Sequence, residues 1–369
     1  MAGGGVRERA EVLYELDRYD QAAALLAQHL AQHPGDSDAL VLLARCRRHL
    51  HDLHGAMALL DEALRGDPEL LTAWVVRADV LLALRAYPDA EFAAHRAVEL
   101  APQFWGGHHL LAMVWDATAE NFGNPAWKRA RRAQAHQAAL HAVSLGPQEA
   151  SAHFLVGLTA HRMKNLAVAR QAYETTLRLD PENSEAHNNL ALLHLRGRWF
   201  TRGAWTRAAE GFVDSAAHDL NDREARFNLE TMAWGVAAGA RWVALAGFFT
   251  AMIATAGLRT GQRGSGPVVG ELVGAGLALA FWGAWFLWQR RRVAPRLRRP
   301  LMLVARACPP VIAMAVAVGA VALYTVVAFA LPYADAGLIG GLGAPVFWGL
   351  VLTYWISRAA LRRRLSARR

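Results

Sequence analysis

Ala56-Met-Ala-Leu-Leu-Asp-Glu-Ala-Leu-Arg-Gly-Asp-Pro68 and Ala90-Glu-Phe-Ala-Ala-His-Arg-Ala-Val-Glu-Leu-Ala-Pro102 are one phrase written twice. Ala169-Arg-Gln-Ala-Tyr-Glu-Thr-Thr-Leu-Arg-Leu-Asp-Pro181 repeats its spacing. In each, small and apolar residues recur on one helical face, and a proline closes the run because it lacks an amide donor and disfavours helix in the residue before it. The prolines act as a ruler. Pro34, Pro68 and Pro102 stand 34 residues apart, Pro147 follows after 45 (an excess of 11), and Pro181 after another 34. A fixed period of this length is the mark of a stacked repeat array.

The phrase resembles the tetratricopeptide repeat (TPR) family, whose 34-residue unit is a pair of antiparallel helices, and the chain is most similar to its membrane-anchored bacterial type. Trp74-Val-Val-Arg-Ala-Asp-Val-Leu81 followed by Tyr87, Ala90, Ala97 and Pro102 carries the resemblance best. Trp74 and Ala78 share a helical face, small Ala90 lets the paired helices approach, and starts such as Asn183-Ser184-Glu185 cap the next first helix. The expected fold is all-α: about six units within residues 1–232, then a membrane domain over 233–369. The fourth unit is interrupted by Asp116–Arg131 between its helices. The sixth, from Glu185, has a stretched turn over Arg196–Arg207 and no closing proline. Ala225-Arg-Phe-Asn-Leu229 opens a further helix that runs on towards the membrane.

The later residues change character. The chain carries 40 Lys+Arg against 31 Asp+Glu, a net of +9, and its pI near 10.2 would ordinarily suggest nucleic acid. Yet residues 1–233 carry a net of −5 and residues 234–369 a net of +14, all of it arginine against Glu271 and Asp335 alone. Four apolar stretches, 242–258, 267–288, 309–331 and 338–356, are expected to span a membrane as a four-helix domain. The first, charge-free, covers about 25 Å at 1.5 Å per residue. Six arginines lie in the link Gln289–Pro300 and six in the tail Ser357–Arg369, against two in the link 259–266 and none in 332–337. The positive-inside rule therefore places both termini in the cytoplasm of a multi-pass protein of the inner (plasma) membrane. The opening Met1-Ala-Gly-Gly-Gly-Val-Arg-Glu-Arg has no apolar core and does not read as a signal peptide. Cys46 and Cys308, one in each half, fit a reducing compartment. Gly270/Gly274 and Gly337/Gly341 have small-xxx-small spacing. Glu271 sits one turn from the outer end of its span and Arg241 at the opposite depth, so the two are not expected to pair.

Chemistry is mostly absent. No phosphate loop or nucleophile elbow occurs. His49-Leu-His51-Asp-Leu-His54 falls at a turn without enough ligands for a metal, and His153 and His187 fill the slot of Trp74. No catalytic, cofactor or metal residues are assigned. The TPR register implies a concave groove lined by first helices. Its inward positions are Val41, Arg45 and Arg48, then Val75, Asp79 and Leu82. His109 and Met113 follow, then Phe154, Leu158 and Arg162, then Asn188, Leu192 and Arg196. An apolar floor with scattered arginines suits a peptide bearing acidic groups. Trp127 in one insertion and Trp199, Phe200 and Trp205 in the other mix with arginine in the manner of a membrane-surface contact. The expected function is a membrane-anchored scaffold for a protein or peptide partner, in contact with lipid and not with nucleic acid. A small transporter or membrane enzyme with a regulatory TPR domain is the alternative.

Overall fold

The computed structural model describes residues 2–196, 203–218, 223–259, 266–330 and 336–366. It is all-α, with seventeen helices and no strand among the described residues. They are α1 (Ala2–Glu15), α2 (Tyr19–Gln32), α3 (Ser37–His49), α4 (Leu53–Gly66), α5 (Leu71–Ala83), α6 (Tyr87–Leu100), α7 (Trp105–Asn121), α8 (Pro125–Leu145), α9 (Ala150–Arg162), α10 (Leu166–Leu179), α11 (Ser184–Arg196), α12 (Ala204–His218), α13 (Arg223–Arg259), α14 (Gly266–Arg292), α15 (Pro295–Ala307), α16 (Pro309–Ala330) and α17 (Ala336–Ser366). Two compact units divide at Pro181/Glu182.

The first unit is five helix pairs. Within four of them the turn follows one recipe. Asp17, His51, Arg85 and Lys164 all have left-handed backbone, φ 58–65°. In the α5–α6 turn, Arg85 N donates to the Leu82 carbonyl and Ala86 N to the Leu81 carbonyl, at 3.1 and 2.9 Å. The same two bonds recur around Asp17, His51 and Lys164. This is the Schellman ending, which satisfies carbonyls that a helix end leaves without partners. The residue after the left-handed one then begins the second helix. Asp52 does so with its carboxylate, which accepts from Gly55 N at 2.9 Å, and Asn165 accepts from Val168 N at 3.5 Å.

The fourth pair lacks that turn because its 11 extra residues are helical. α7 has 17 residues and α8 has 21, where α5 and α10 have 13 and 14. The two helices are thus lengthened by four and seven residues, close to one and two helical turns, so each keeps its packing face in register. The expected interruption over Asp116–Arg131 is therefore a projecting hairpin. Gly123 (φ 84°) turns it, and a Cβ there would run into the Trp127 ring. Asn124 caps α8, accepting from Ala126 N and Trp127 N at 3.1 and 2.9 Å.

Pairs pack on their neighbours alone. Ala73, Ala90, Ala97, Ala139 and Ala169 are wholly buried where helices cross. First helices also meet across repeats: α1 with α3, α3 with α5, α5 with α7, and α7 with α9.

In the second unit α13 is central. Ala244, Phe248 and Ala251 pack against Met314, Val318, Val321 and Tyr324 of α16 and Leu350 of α17. Helices α11 and α12 belong to this unit too, with Phe212, Leu229 and Met232 clustering around Leu297 and Leu301 of α15. The arginine-rich link expected between two spans is thus partly the helix α15, which buries Leu297 and Leu301 while Arg296 and Arg299 remain exposed. Among the described residues three helical stretches are long and apolar enough to cross a membrane: Arg226–Ile253, Leu272–Arg291 and Pro309–Phe329. The fourth expected span lies in α17, where the side chains of 336–340 are outside the described residues.

The left-handed turns give a direct test. A side chain in this conformation costs about 1–2 kcal/mol that glycine does not pay, partly offset by glycine's freer unfolded chain. Arg85→Gly is expected to stabilise the α5–α6 pair by about 0.5–1 kcal/mol, read as slower amide exchange in both helices. Faster exchange would contradict the turn assignment.

Candidate functional site

Three helices of the first unit enclose a concavity on its first-helix side. An open cleft of about 480 Å³ is lined by Arg7 and Glu11 from α1, Asp38, Val41, Leu42 and Arg45 from α3, Leu71, Thr72, Val75 and Val76 from α5, and Phe104. Val41, Arg45 and Val75 are the expected groove residues that meet there. Arg7 Nη1 donates to Asp38 Oδ2 at 2.8 Å on the rim. The Arg45 guanidinium lies 4.3 Å from the centre of the Tyr14 ring and has no carboxylate partner among the described residues. Tyr14 is held in place by its hydroxyl, 2.9 Å from His49 Nε2. The cleft thus offers an apolar floor with one arginine, Arg45, outside any ion pair, and the exposed Glu11 carboxylate on the same lining.

Two further arginines expected in the groove, Arg48 and Arg162, are engaged within the array, and the side chain of Arg196 lies outside the described residues. Arg48 Nη2 donates to Asp79 Oδ1 at 2.8 Å, tying α3 to α5. Arg162 Nη1 reaches Asp116 Oδ2 at 2.6 Å and Glu120 Oε2 at 2.8 Å, tying α9 to the extended part of α7. Burial pushes the Asp116 carboxyl up, against the opposing pull of Arg162. Leu82, Met113, Phe154, Leu158 and Leu192 are half-buried along their helices, and Phe154 meets the Tyr173 ring at 5.7 Å. Asn188 is buried, and Asn228 Nδ2 donates to its Oδ1 at 2.8 Å, so it serves packing between α11 and α13. Arg196 ends α11.

His109 is half-buried beside Trp105, ring centres 5.6 Å apart, and burial lowers its pKa to about 4. Its neighbour His108 has a role that the sequence reading missed. His108 Nε2 lies 3.0 Å from the Pro102 carbonyl oxygen, as His153 Nε2 does from that of Pro147. Trp74 Nε1 donates to the Pro68 carbonyl at 2.8 Å. All three stand six residues after the proline, a spacing that could have assigned His108 to the Trp74 slot. Cys46 and Cys308 are buried thiols, and burial pushes the Cys46 thiol up to about 11.

Of the expected membrane-surface residues, Trp127 is exposed at the start of α8, with the Arg131 guanidinium 5.8 Å from its ring. Trp205 corrects the expectation: it is buried in the cluster with Phe212 and Leu229, because α12 turns its apolar face onto α13 and α15. Trp199 and Phe200 lie outside the described residues.

Comparison with known proteins fits this geometry. A family model for subunit 3 of the anaphase-promoting complex (cyclosome) matches residues 15–97. A tetratricopeptide-repeat model matches residues 162–228. The repeats are tetratricopeptide repeats. Among solved structures with a similar fold, the Cut9–Hcn1 hetero-tetramer of the anaphase-promoting complex aligns at TM-score 0.53 and 14% identity, over 62% of this chain and 42% of that one. A thermophilic TPR protein of Thermus thermophilus, TTC0263, aligns at TM-score 0.47 and 20% identity, over 52% of this chain and 95% of that one. PilF of Pseudomonas aeruginosa aligns at 0.46 and 16%, over 61% and 95%. No curated protein matches the sequence. In TPR terms the cleft lies on the first-helix face, and the Pro-carbonyl bonds sit at the joins between units.

His109 has a pH signature. Its folded pKa lies below the ordinary 6.5, so the unfolded chain binds more protons between those values and stability falls as pH drops from about 6.5 towards 4. Between pH 7 and 5 the wild type is expected to lose about 2 kcal/mol more than His109→Gln in the opening energy of α7, measured by amide exchange. His136, also lowered by burial, is common to both chains and cancels. Equal losses would show that His109 titrates normally.

Proposed function

We propose that this protein is a membrane-anchored TPR scaffold of the bacterial type. TPR scaffolds work by binding other proteins rather than by catalysis, and the cleft between α1, α3 and α5 is the surface suited to that here. The observation that carries the partner reading is Arg45, an arginine on an apolar floor whose nearest engagement is an aromatic ring. Its occupant would be a protein segment with an apolar residue for the Val41/Val75 floor and a carboxylate for Arg45. Arg48 and Arg162, already paired, would shape the wall without reading the partner.

Anchoring is supported by what the second unit leaves uncovered. Leu279 on α14, Ile253 on α13, Val316 on α16 and Ile356 on α17 are each at least 65% exposed. A water-soluble surface rarely gathers that much apolar area. The arginine ends also fall together. Trp234 of α13 donates to Ser357 Oγ of α17 at 3.0 Å, and Ala233 shares a cleft with Gln289 and Arg290 of α14. The six-arginine link and the arginine tail therefore start from one end of the helices, as one cytoplasmic side requires.

Two measurements test the two halves of this reading. The protein is expected to stay in the membrane pellet after alkaline carbonate extraction, and a cysteine placed at Ser366 to react only after the cytoplasmic side is opened. Release by carbonate, or labelling of Ser366→Cys from outside, would refute the anchor and its topology. For the cleft, Arg45→Glu and Val75→Glu are expected to reduce capture of a partner by about tenfold or more, while exposed Arg65→Glu does not. Undiminished capture by both variants would remove the cleft from the account.

A further inference from the structure

A second cleft, in the other unit, has the chemistry of a lipid site. It measures about 480 Å³ and lies between α13, α14 and α15, where the apolar part of α14 gives way to its arginines. Val236, Trp285 and Met302 line its apolar side, and Arg290 and Arg298 its polar end. Among the described residues no carboxylate lines it.

Three observations bear on what would fill it. Arg298 Nη2 donates to the Arg290 carbonyl at 3.2 Å, which fastens the first turn of α15 to the end of α14 and puts both arginines on the same cleft. Neither has a carboxylate partner among the described residues, whereas Arg296 of the same helix is bound to Glu210 at 2.5 Å. The third is Gln289. It lines the cleft at 9% exposure, and its Oε1 is buried without a hydrogen-bond partner. A buried amide oxygen left unsatisfied is costly, and a group supplying a hydroxyl would relieve it.

We infer that this cleft binds one anionic phospholipid with a hydroxylated headgroup, of the phosphatidylglycerol kind. Its phosphate sits between Arg290 and Arg298, a headgroup hydroxyl donates to Gln289 Oε1, and acyl chain lies along Val236, Trp285 and Met302. Basic clefts between helices at the cytoplasmic boundary are where anionic headgroups bind. A zwitterionic lipid would bring a second cation to two arginines, and a free phosphate would leave the apolar wall bare. The inference rests on the membrane reading given above, and it adds that α15 is held in place partly by lipid.

The test uses the full chain in a non-ionic detergent, titrated with phosphatidylglycerol or with phosphatidylcholine of the same acyl chains and read by native mass spectrometry. One phosphatidylglycerol is expected to stay bound at about tenfold lower concentration than phosphatidylcholine. Arg290→Gln/Arg298→Gln is expected to abolish that preference and Gln289→Leu to weaken it severalfold. The charge-matched control Arg306→Gln/Arg362→Gln is expected to keep it. Equal retention of both lipids by the wild type, an undiminished preference in the double variant, or displacement of phosphatidylglycerol by oleate at equal concentration would overturn the site. If the double variant fails to fold, Gln289→Leu decides alone, and an unchanged preference there overturns it. The membrane reading has its own readout: a chain that resists carbonate extraction yet shows no lipid preference loses this site only, whereas one released by carbonate loses both.

Discussion

Small residues, mostly alanine, fill the buried contacts between helices in the first unit, and that sets the architecture. Ala56, Ala63, Ala73, Ala90 and Ala97 expose no surface at all. A methyl-sized side chain allows neighbouring backbones to approach closely, so the larger residues between the seams (Leu60, Val80, Tyr173) fill the remaining space to native density. Since each pair can cover its apolar face only with the next pair, the array is a linear stack whose first helices face one side. The cleft at α1, α3 and α5 is a consequence of that stacking.

The turns keep the stack in step. A Schellman ending closes the first helix in four of the five pairs and, in the residue that follows, starts the second, so almost no chain is spent between them. At the opposite end proline stops the second helix, and its carbonyl is taken up by Trp74, His108 or His153 six residues on. Both devices recur at the 34-residue interval, which is why the array was legible from proline spacing. The fourth pair shows the limit of that legibility. An excess of 11 residues looks like an inserted loop on paper. In three dimensions it is three further helical turns shared between α7 and α8, because that length restores the helical phase.

Side-chain partners were less readable. The groove positions follow from the repeat register, but nothing in the order of residues says that Arg48 is bound to Asp79, or Arg162 to Asp116 and Glu120, across neighbouring repeats. Among the described groove arginines those pairings leave Arg45 without a carboxylate partner. In the second unit, arginines and two prolines made 289–300 read as a link, where α15 in fact begins. The helix there is recognisable only once Leu297 and Leu301 are seen to pack on α12 and α13. The same packing buries Trp205, whose aromatic and arginine neighbours had suggested a surface. Composition records which residues lie near one another in the chain, and burial depends on which face the fold turns inward.

The central claim is that the first-helix cleft of a membrane-held array receives a protein partner. It is tested most directly by placing a photo-crosslinking amino acid at Val75 in the full-length, membrane-embedded chain, and separately at Phe92, an exposed residue on the second helix α6. The account predicts that Val75 crosslinks to one discrete partner and that Arg45→Glu abolishes the adduct, with no such adduct from Phe92. Crosslinking from Phe92 in preference to Val75, or a Val75 adduct indifferent to Arg45→Glu, would contradict it.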